Sequence, residues 1–410
     1  MSLQFYGSPA RRLLASVVLA SALITTSACG VDVQGPEPPQ DRFVYPVGMA
    51  LHPDGHYLYV VSSNFDVEFR QDRGGTVLVV DTDTLEIVPG AGVQIGTFGG
   101  DIALNAPGGG APTRAYVAVR GDKTVTALDL EPDGGTLRCK GSSFTGACQL
   151  PTNNDDPFGL VVTSTTVDDP AAGPVAIDFV GVAHLVGGNI TAFAIKDGAD
   201  GSWSRVSAPL VAGANAIAQS PRTGQYYVTS RFTNTVVAFR PVFNPDGAIE
   251  AVFQLDEISI DNATPFSGLD SRGIAFNAAG TTAFVANRGP NSLLFVDVGP
   301  TELGTLSGSR NQVIDMLPLP NAPAEVEVIQ VRGQELVYVT SYAQKLITVV
   351  DPESHQVVDT IDIPGQPYAM AVDAVRHHRL YVSLFTSDAI AVIDIDPESP
   401  SFNTVISWVK

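Results

Sequence analysis

The feature that most constrains this chain is a phrase it repeats. Ala50-Leu51-His52-Pro53-Asp54-Gly55-His56-Tyr57-Leu58-Tyr59-Val60 is followed by a loop and then by Thr76-Val77-Leu78-Val79-Val80-Asp81. The stretches from Ser271 to Val298 and from Gln366 to Ile395 carry the same order of apolar run, polar turn, second run, loop and third run. A unit that cannot bury its apolar faces alone must stack on copies of itself, so such periodicity predicts a stacked-blade architecture. Aligned on one position of the first run, the units place Gly48, Asp101, Gly159, Ala216, Gly273, Glu325 and Ala369 in register. The six steps from 48 to 369 average about 53.5 residues.

The runs alternate with period two and are rich in Tyr and β-branched residues, as in Tyr226-Tyr227-Val228-Thr229 and Val337-Tyr338-Val339-Thr340, which makes them strands. Third runs end near an acid, Asp81, Asp129, Asp297, Asp351 or Asp394, suited to capping turns. A fourth strand is legible at 356–363 and again at 403–409, so the last blade is complete within the chain. The prediction is all-β: a seven-bladed β-propeller of four-stranded antiparallel blades forming a single domain over 45–410. The unit from Asp156 to Asp200 is the least regular, and six or eight blades would follow if it is miscounted. Small Gly and Ala on first strands suit strands converging on a central channel.

The N-terminus stands apart. Arg11-Arg12, the apolar run Leu13 to Ile24 and the small residues Thr26-Ser27-Ala28 have the layout of a secretory signal over 1–28. A run of twelve residues falls short of the ~20 that span a bilayer, so the segment directs export. Ser27-Ala28-Cys29-Gly30 resembles the lipobox of bacterial lipoproteins, in which the cysteine is lipidated; Thr26 stands where that pattern has a branched apolar residue, and ordinary cleavage nearby is the alternative. Residues 29–44, rich in Pro, read as a flexible tether. The expected location is the bacterial cell envelope, on the periplasmic or outer-membrane side, with the membrane touched only through the lipid.

The full chain carries a formal charge of −20; removing 1–28, with two Arg and no acid, leaves −22. That disfavours nucleic acid and anionic membrane surfaces as partners, while a solvated acidic surface also serves solubility alone. After Cys29 only Cys139 and Cys148 remain, a pair that reads as a disulfide stapling the loop between the second and third blades. Neither has ligand spacing for zinc.

The Tyr338-Val339-Thr340-Ser341 and Tyr227-Val228-Thr229-Ser230 segments, with the turns Pro53-Asp54-Gly55 and Asp351-Pro352-Glu353-Ser354-His355, resemble the YVTN-type β-propeller repeat. Ser replaces the usual terminal Asn, and Ala286-Asn287 is the nearest full echo. The resemblance covers nearly the whole mature chain and implies the architecture. It leaves activity open, since relatives include lactonase-like propellers, cell-surface repeat proteins and subunits of quinoprotein dehydrogenases.

In a propeller, the loops between second and third strands share one face with the segments leading into the inner strands, around the channel mouth. That face receives Arg120, Arg231 and Arg288 at the ends of second strands, Arg272 at the start of an inner one, and Asn291, Tyr342, Gln344 and Lys345. In so acidic a chain this is a local reversal of sign. Guanidinium groups offer planar pairs of donors that a carboxylate or phosphate fills. The expected ligand-binding set is therefore Arg120, Arg231, Arg272, Arg288, Asn291 and Lys345; the alternative is that each Arg pairs with an acid such as Asp72, Asp122 or Asp270. The acids Asp66, Glu68 and Asp72 lack calcium-loop spacing. His52, His56, His377 and His378 fall in turns of blades one and seven, on the opposite face, where a metal or ordinary turn chemistry would suit them.

No G-x-S-x-G, H-E-x-x-H, C-x-x-C-H or phosphate loop occurs, and Trp203 and Trp408 are too few for a pyrroloquinoline propeller. No cofactor or metal is predicted. The reading is a monomeric, lipid-anchored propeller that binds a protein or a small anionic ligand at its mouth. The alternative is a propeller enzyme of lactonase-like or quinoprotein-related type, for which Asp101, Asn215, Arg272, Glu325 and Glu327 are the candidate catalytic residues.

Overall fold

The computed structural model describes residues 35–139, 148–170, 173–196, 202–260, 269–299 and 311–410. The signal-like segment and Cys29 lie outside them. Seven antiparallel sheets form a ring, a seven-bladed all-β propeller. The inner strands are Pro46–Leu51, Gly99–Leu104, Pro157–Asp169, Ala214–Gln219, Leu269–Phe276, Pro323–Val331 and Pro367–Asp373. Among the described residues the one helical turn is Pro107–Gly109.

The unit that reads as irregular is a whole blade. Its first two strands, Pro157–Asp169 and Gly173–His184, simply run on into a long hairpin. In blades one and two the fourth strand is split: Glu86–Ile87 and Val93–Ile95 both pair with Gly75–Asp81, and Leu137–Cys139 and Gln149–Pro151 both pair with Thr124–Leu130. The Cys139–Cys148 disulfide, with Cα atoms 5.5 Å apart, joins the two halves of blade two's outer strand. It therefore staples one blade's edge and not the loop between blades two and three, because Gln149-Leu150-Pro151 folds back onto Thr124–Thr126.

The core is divided into seven apolar clusters, one at each junction between adjacent blades. The repeated Tyr-Val-Thr phrase explains itself at these junctions. Tyr59, Tyr116, Tyr227, Tyr338 and Tyr381 are the largest fully buried side chains. Four of the hydroxyls reach into the next blade: Tyr59 to the Gly134 carbonyl at 2.7 Å, Tyr116 to Asp178 at 2.7 Å, Tyr227 to Asn311 at 3.3 Å and Tyr338 to Asn403 at 2.7 Å. In these the ring is apolar where it must be and the phenol is satisfied at its far end, whereas the buried Tyr381 hydroxyl has no hydrogen-bond partner among the described residues. The third residue of the phrase serves the inner strand. Thr229, Thr340 and Ser383 accept the N–H of Ala216, Glu325 and Ala369 at 3.1, 2.9 and 2.9 Å.

Those amides need a partner because every inner strand carries a bulge at the same place, between Pro46 and Gly48 in blade one and at the equivalent step in the other six. A bulge leaves one residue out of the ladder and increases the local twist. It also brings neighbouring inner strands close. A Cβ on Gly273 would lie 2.6 Å from the Ala324 carbonyl oxygen and 2.9 Å from the Val326 nitrogen, both backbone.

No blade combines strands from both ends of the chain: blade one begins with Pro46–Leu51 and blade seven ends with Thr404–Val409. The junction between them is held by side chains, with Met49, Leu58 and Val60 packed on Tyr381, Ile390 and Val392. Arg376 is bound to Asp83 at 2.8 Å, and the Tyr45 N–H to Asp388 at 2.8 Å. Residues 35–44 lie along blade one. Phe43 is buried there, and Glu37 pairs with Arg70 and Arg73 at 3.0 and 2.9 Å.

Candidate functional site

Two backbone devices build the channel mouth. The residue just before the ladder pair that opens the inner-strand bulge has positive φ in six blades: Tyr45, Phe98, Asp156, Gly213, Asp270 and Ala322, at 48° to 70°. Non-glycine residues held in the left-handed region are strained, and such strain gathers at functional sites. The residue after the second strand then donates its N–H to that leading carbonyl, as Arg120 does to Phe98 at 3.1 Å, Arg231 to Gly213 at 2.9 Å and Tyr342 to Ala322 at 3.2 Å. The ladder register makes Ser63, Arg120, Leu185, Arg231, Arg288, Tyr342 and Phe385 equivalent, one per blade. What differs around the ring is the side chain.

Arg120, Arg231, Arg272 and Arg288 converge on one arc of the mouth. Arg120 is ion-paired with Asp156, and its guanidinium lies 5.9 Å from the Phe158 ring. Asp270 holds Arg272 at 2.6 Å and reaches Arg231 at 3.9 Å. Arg288 donates its Nε to the Pro323 carbonyl at 2.8 Å; among the described residues no carboxylate lies within ion-pair distance of it. Four guanidinium groups thus share two carboxylates. Burial, then the proximity of Arg272 and Arg231, pulls Arg288 down to about 10, and burial with Arg272 also lowers Arg231. Like charges crowded in a partly dry mouth are what an incoming anion relieves.

Below the mouth the channel holds a cavity of about 690 Å³, lined by Arg272, Arg288, Tyr342 and Tyr368 and, deeper, by Asp101, Asn215, Glu325 and Glu327. That volume suits a small organic molecule. The three acids are half-buried in the channel wall, and that burial favours their neutral forms. It pushes Asp101 up to about 6, although the N–H groups of Leu160 and Ile102 bond its carboxylate at 3.1 and 2.8 Å. Glu327 is pushed up to about 7 by burial and by Asp101. Glu325, facing both other acids, lies well above the carboxylate range. Asn215 is 7% exposed and its Oδ1 has no hydrogen-bond partner.

No protein-family model matches this sequence, and no curated protein matches it. Its structural relatives are β-propellers. A candidate 6-phosphogluconolactonase of Bacteroides uniformis is similar with a TM-score of 0.54 at 17% identity, over 77% of this chain and 84% of that one. The hydrazine synthase of Kuenenia stuttgartiensis matches with a TM-score of 0.55 at 13% identity, over 86% and 96%. The β-propeller domain of Cps50 (Swd1) of Myceliophteria thermophila gives 0.56 at 12%, over 86% and 96%. Roles so mixed at such low identity establish the fold alone.

The structure brings together four of the six residues expected at the mouth. Arg272 and Arg288 line the cavity, and Arg120 and Arg231 stand at its rim. Asn291 instead braces two blades, accepting the Ala322 N–H at 3.2 Å and donating to Asn321 at 3.3 Å. Lys345 is exposed and does not border the cavity. All five residues named for an enzyme, Asp101, Asn215, Arg272, Glu325 and Glu327, line it. On the opposite face His56 and His377 meet one carboxylate, Asp83, at 3.6 and 2.9 Å, whereas His52 and His378 turn to Asp54 and Asp396. Sequence reasoning missed Asp156 and the aromatic residues Tyr45, Phe98, Tyr368 and Phe385. Their signal was positional: Tyr45, Phe98 and Asp156 lead into inner strands, Phe385 follows a second one and Tyr368 is the second residue of the inner strand Pro367–Asp373.

Proposed function

We propose that this chain is an exported, lipid-anchored propeller of the YVTN type whose channel mouth binds a small organic anion. One observation carries the reading: four guanidinium groups converge over a cavity with two carboxylates among them, and among the described residues Arg288 has no acid within ion-pair distance. The export and anchoring rest on the sequence alone, on Arg11-Arg12, the apolar run and Cys29. Thermal unfolding at pH 7 against a panel of carboxylates and phosphates tests the site. The expected result is a concentration-dependent rise in Tm that is abolished in the Arg231→Ala/Arg288→Ala double variant. A panel that leaves Tm unmoved, or a double variant that keeps the rise, overturns it.

A second reading, hydrolysis of a lactone or related ester, draws on Asp101 and Glu327. Their environments hold them near 6 and 7, where a carboxyl group can take up or give a proton at working pH. Arg272 and Arg288 would then face the developing oxyanion. Turnover of a lactone panel, lost in Glu327→Gln with anion binding retained, would favour this reading over simple binding.

A further inference from the structure

The side of the mouth opposite the arginines is aromatic. Tyr342 and Phe385 occupy in blades six and seven the ring position that Arg120, Arg231 and Arg288 occupy in blades two, four and five. Around them the rings form a continuous surface. Tyr368 and Phe385 stack with centroids 5.7 Å apart, Tyr342 stands 6.4 Å from Phe385, and Tyr45 and Phe65 each lie 5.1 Å from Phe385. Phe65 is 49% exposed. The surface spans blades six, seven and one and is continuous with the cavity through Tyr342 and Tyr368.

Tyr368 belongs to both halves. Burial first, then Glu325, pushes its hydroxyl up to about 12, while Arg120 and Arg272 act in the opposite direction. Arg272, Arg288, Tyr342 and Tyr368 line one cavity, so a single ligand in it can meet both the arginines and the aromatic wall.

Resting on the anion reading above, we infer that the ligand is a flat-ring acid. Its carboxylate or phosphate faces Arg272 and Arg288, and its ring lies against Tyr342, Tyr368 and Phe385. The argument is complementarity. Aromatic surface at a polar, water-filled mouth is stabilised when a ring covers it, by the apolar area removed from water and by offset or edge contacts between rings. An aliphatic acid satisfies the cations and leaves the wall wet. A neutral ring covers the wall and leaves the cations unneutralised. The deeper lining of Asp101, Asn215, Glu325 and Glu327 offers no cation to a second anionic group at the far end of the ligand, so one acidic end is expected.

Calorimetric titration of the mature chain with 4-hydroxybenzoate and phenyl phosphate, against acetate, succinate and inorganic phosphate, and with benzyl alcohol as a neutral ring, tests this. Aryl acids are expected to bind at least tenfold tighter than aliphatic acids or inorganic phosphate, with benzyl alcohol weaker than either aryl acid. Phe385→Ala is expected to bring the affinity for aryl acids down to that for succinate. Phe65→Ala, at an exposed ring whose truncation leaves the fold intact, should reduce it in part. Equal binding of aryl and aliphatic acids would overturn the aromatic inference and leave the anion reading standing. Binding of benzyl alcohol as tight as that of 4-hydroxybenzoate, or of no anion in either series, would overturn both.

Discussion

The junctions between blades and the ring at the channel mouth are built from the same repeat, and they behave in opposite ways. At the junctions the blades agree: a buried Tyr in five of seven, its hydroxyl tied to the next blade in four of those, and an inner-strand bulge in every one. At the mouth equivalent backbone positions carry Ser63, Arg120, Leu185, Arg231, Arg288, Tyr342 and Phe385. Copies within one chain act as their own control. Where the scaffold needs a residue the copies converge, and where they diverge into one cationic and one aromatic arc the scaffold has stopped dictating the choice.

The sharpest way to break that contrast is at a junction. Gly273→Ala puts a methyl group against backbone atoms of Ala324 and Val326, which cannot step aside as a side chain would. The expected loss is about 1 to 3 kcal/mol of stability by chemical denaturation. An unchanged midpoint would mean that the inner strands are less closely apposed than described. The channel should show a smaller effect of the opposite sign. Asp101, Glu325 and Glu327 bind protons more tightly in the folded chain than in the unfolded one, so stability present below about pH 4 is lost as pH rises through about 6 to 7. Glu327→Gln should flatten that decline and raise stability at pH 8 by on the order of 1 kcal/mol. Tm measured from pH 4 to 8 checks it, and parallel curves for the two proteins would refute it. The smallest effect belongs to Lys345, on the same face but outside the cavity. Lys345→Ala should change stability by less than about 0.5 kcal/mol and anion affinity not at all, by titration beside Arg288→Ala.

The junctions were legible in the sequence because they are made of what repeats: Tyr-Val-Thr, the third-strand acids and the small inner-strand residues all recur at one period. Arg120, Arg231 and Arg288 were legible because each follows a recognisable second strand, and their charge stands out in an acidic chain. Tyr368 and Phe385 were not, since an aromatic residue beside a strand reads as core. Only the ring geometry shows these side chains turned to the mouth. Asn291 and Lys345 lie on the same face but do not border the cavity: Asn291 opens a third strand and is tied to Ala322 and Asn321, and Lys345 points to solvent. Gln149-Leu150-Pro151, which moved the disulfide into blade two, pairs by register across a loop and has no local signal.

The aromatic arc straddles the junction of blades one and seven, the one place where the chain does not run on from blade to neighbouring blade. Tyr45 and Phe65 belong to one side of this seam and Phe385 and Tyr368 to the other, and their rings touch across it. A molecule lying on these rings would act as a clasp. Holding it and keeping the circle shut would be a single mechanical event.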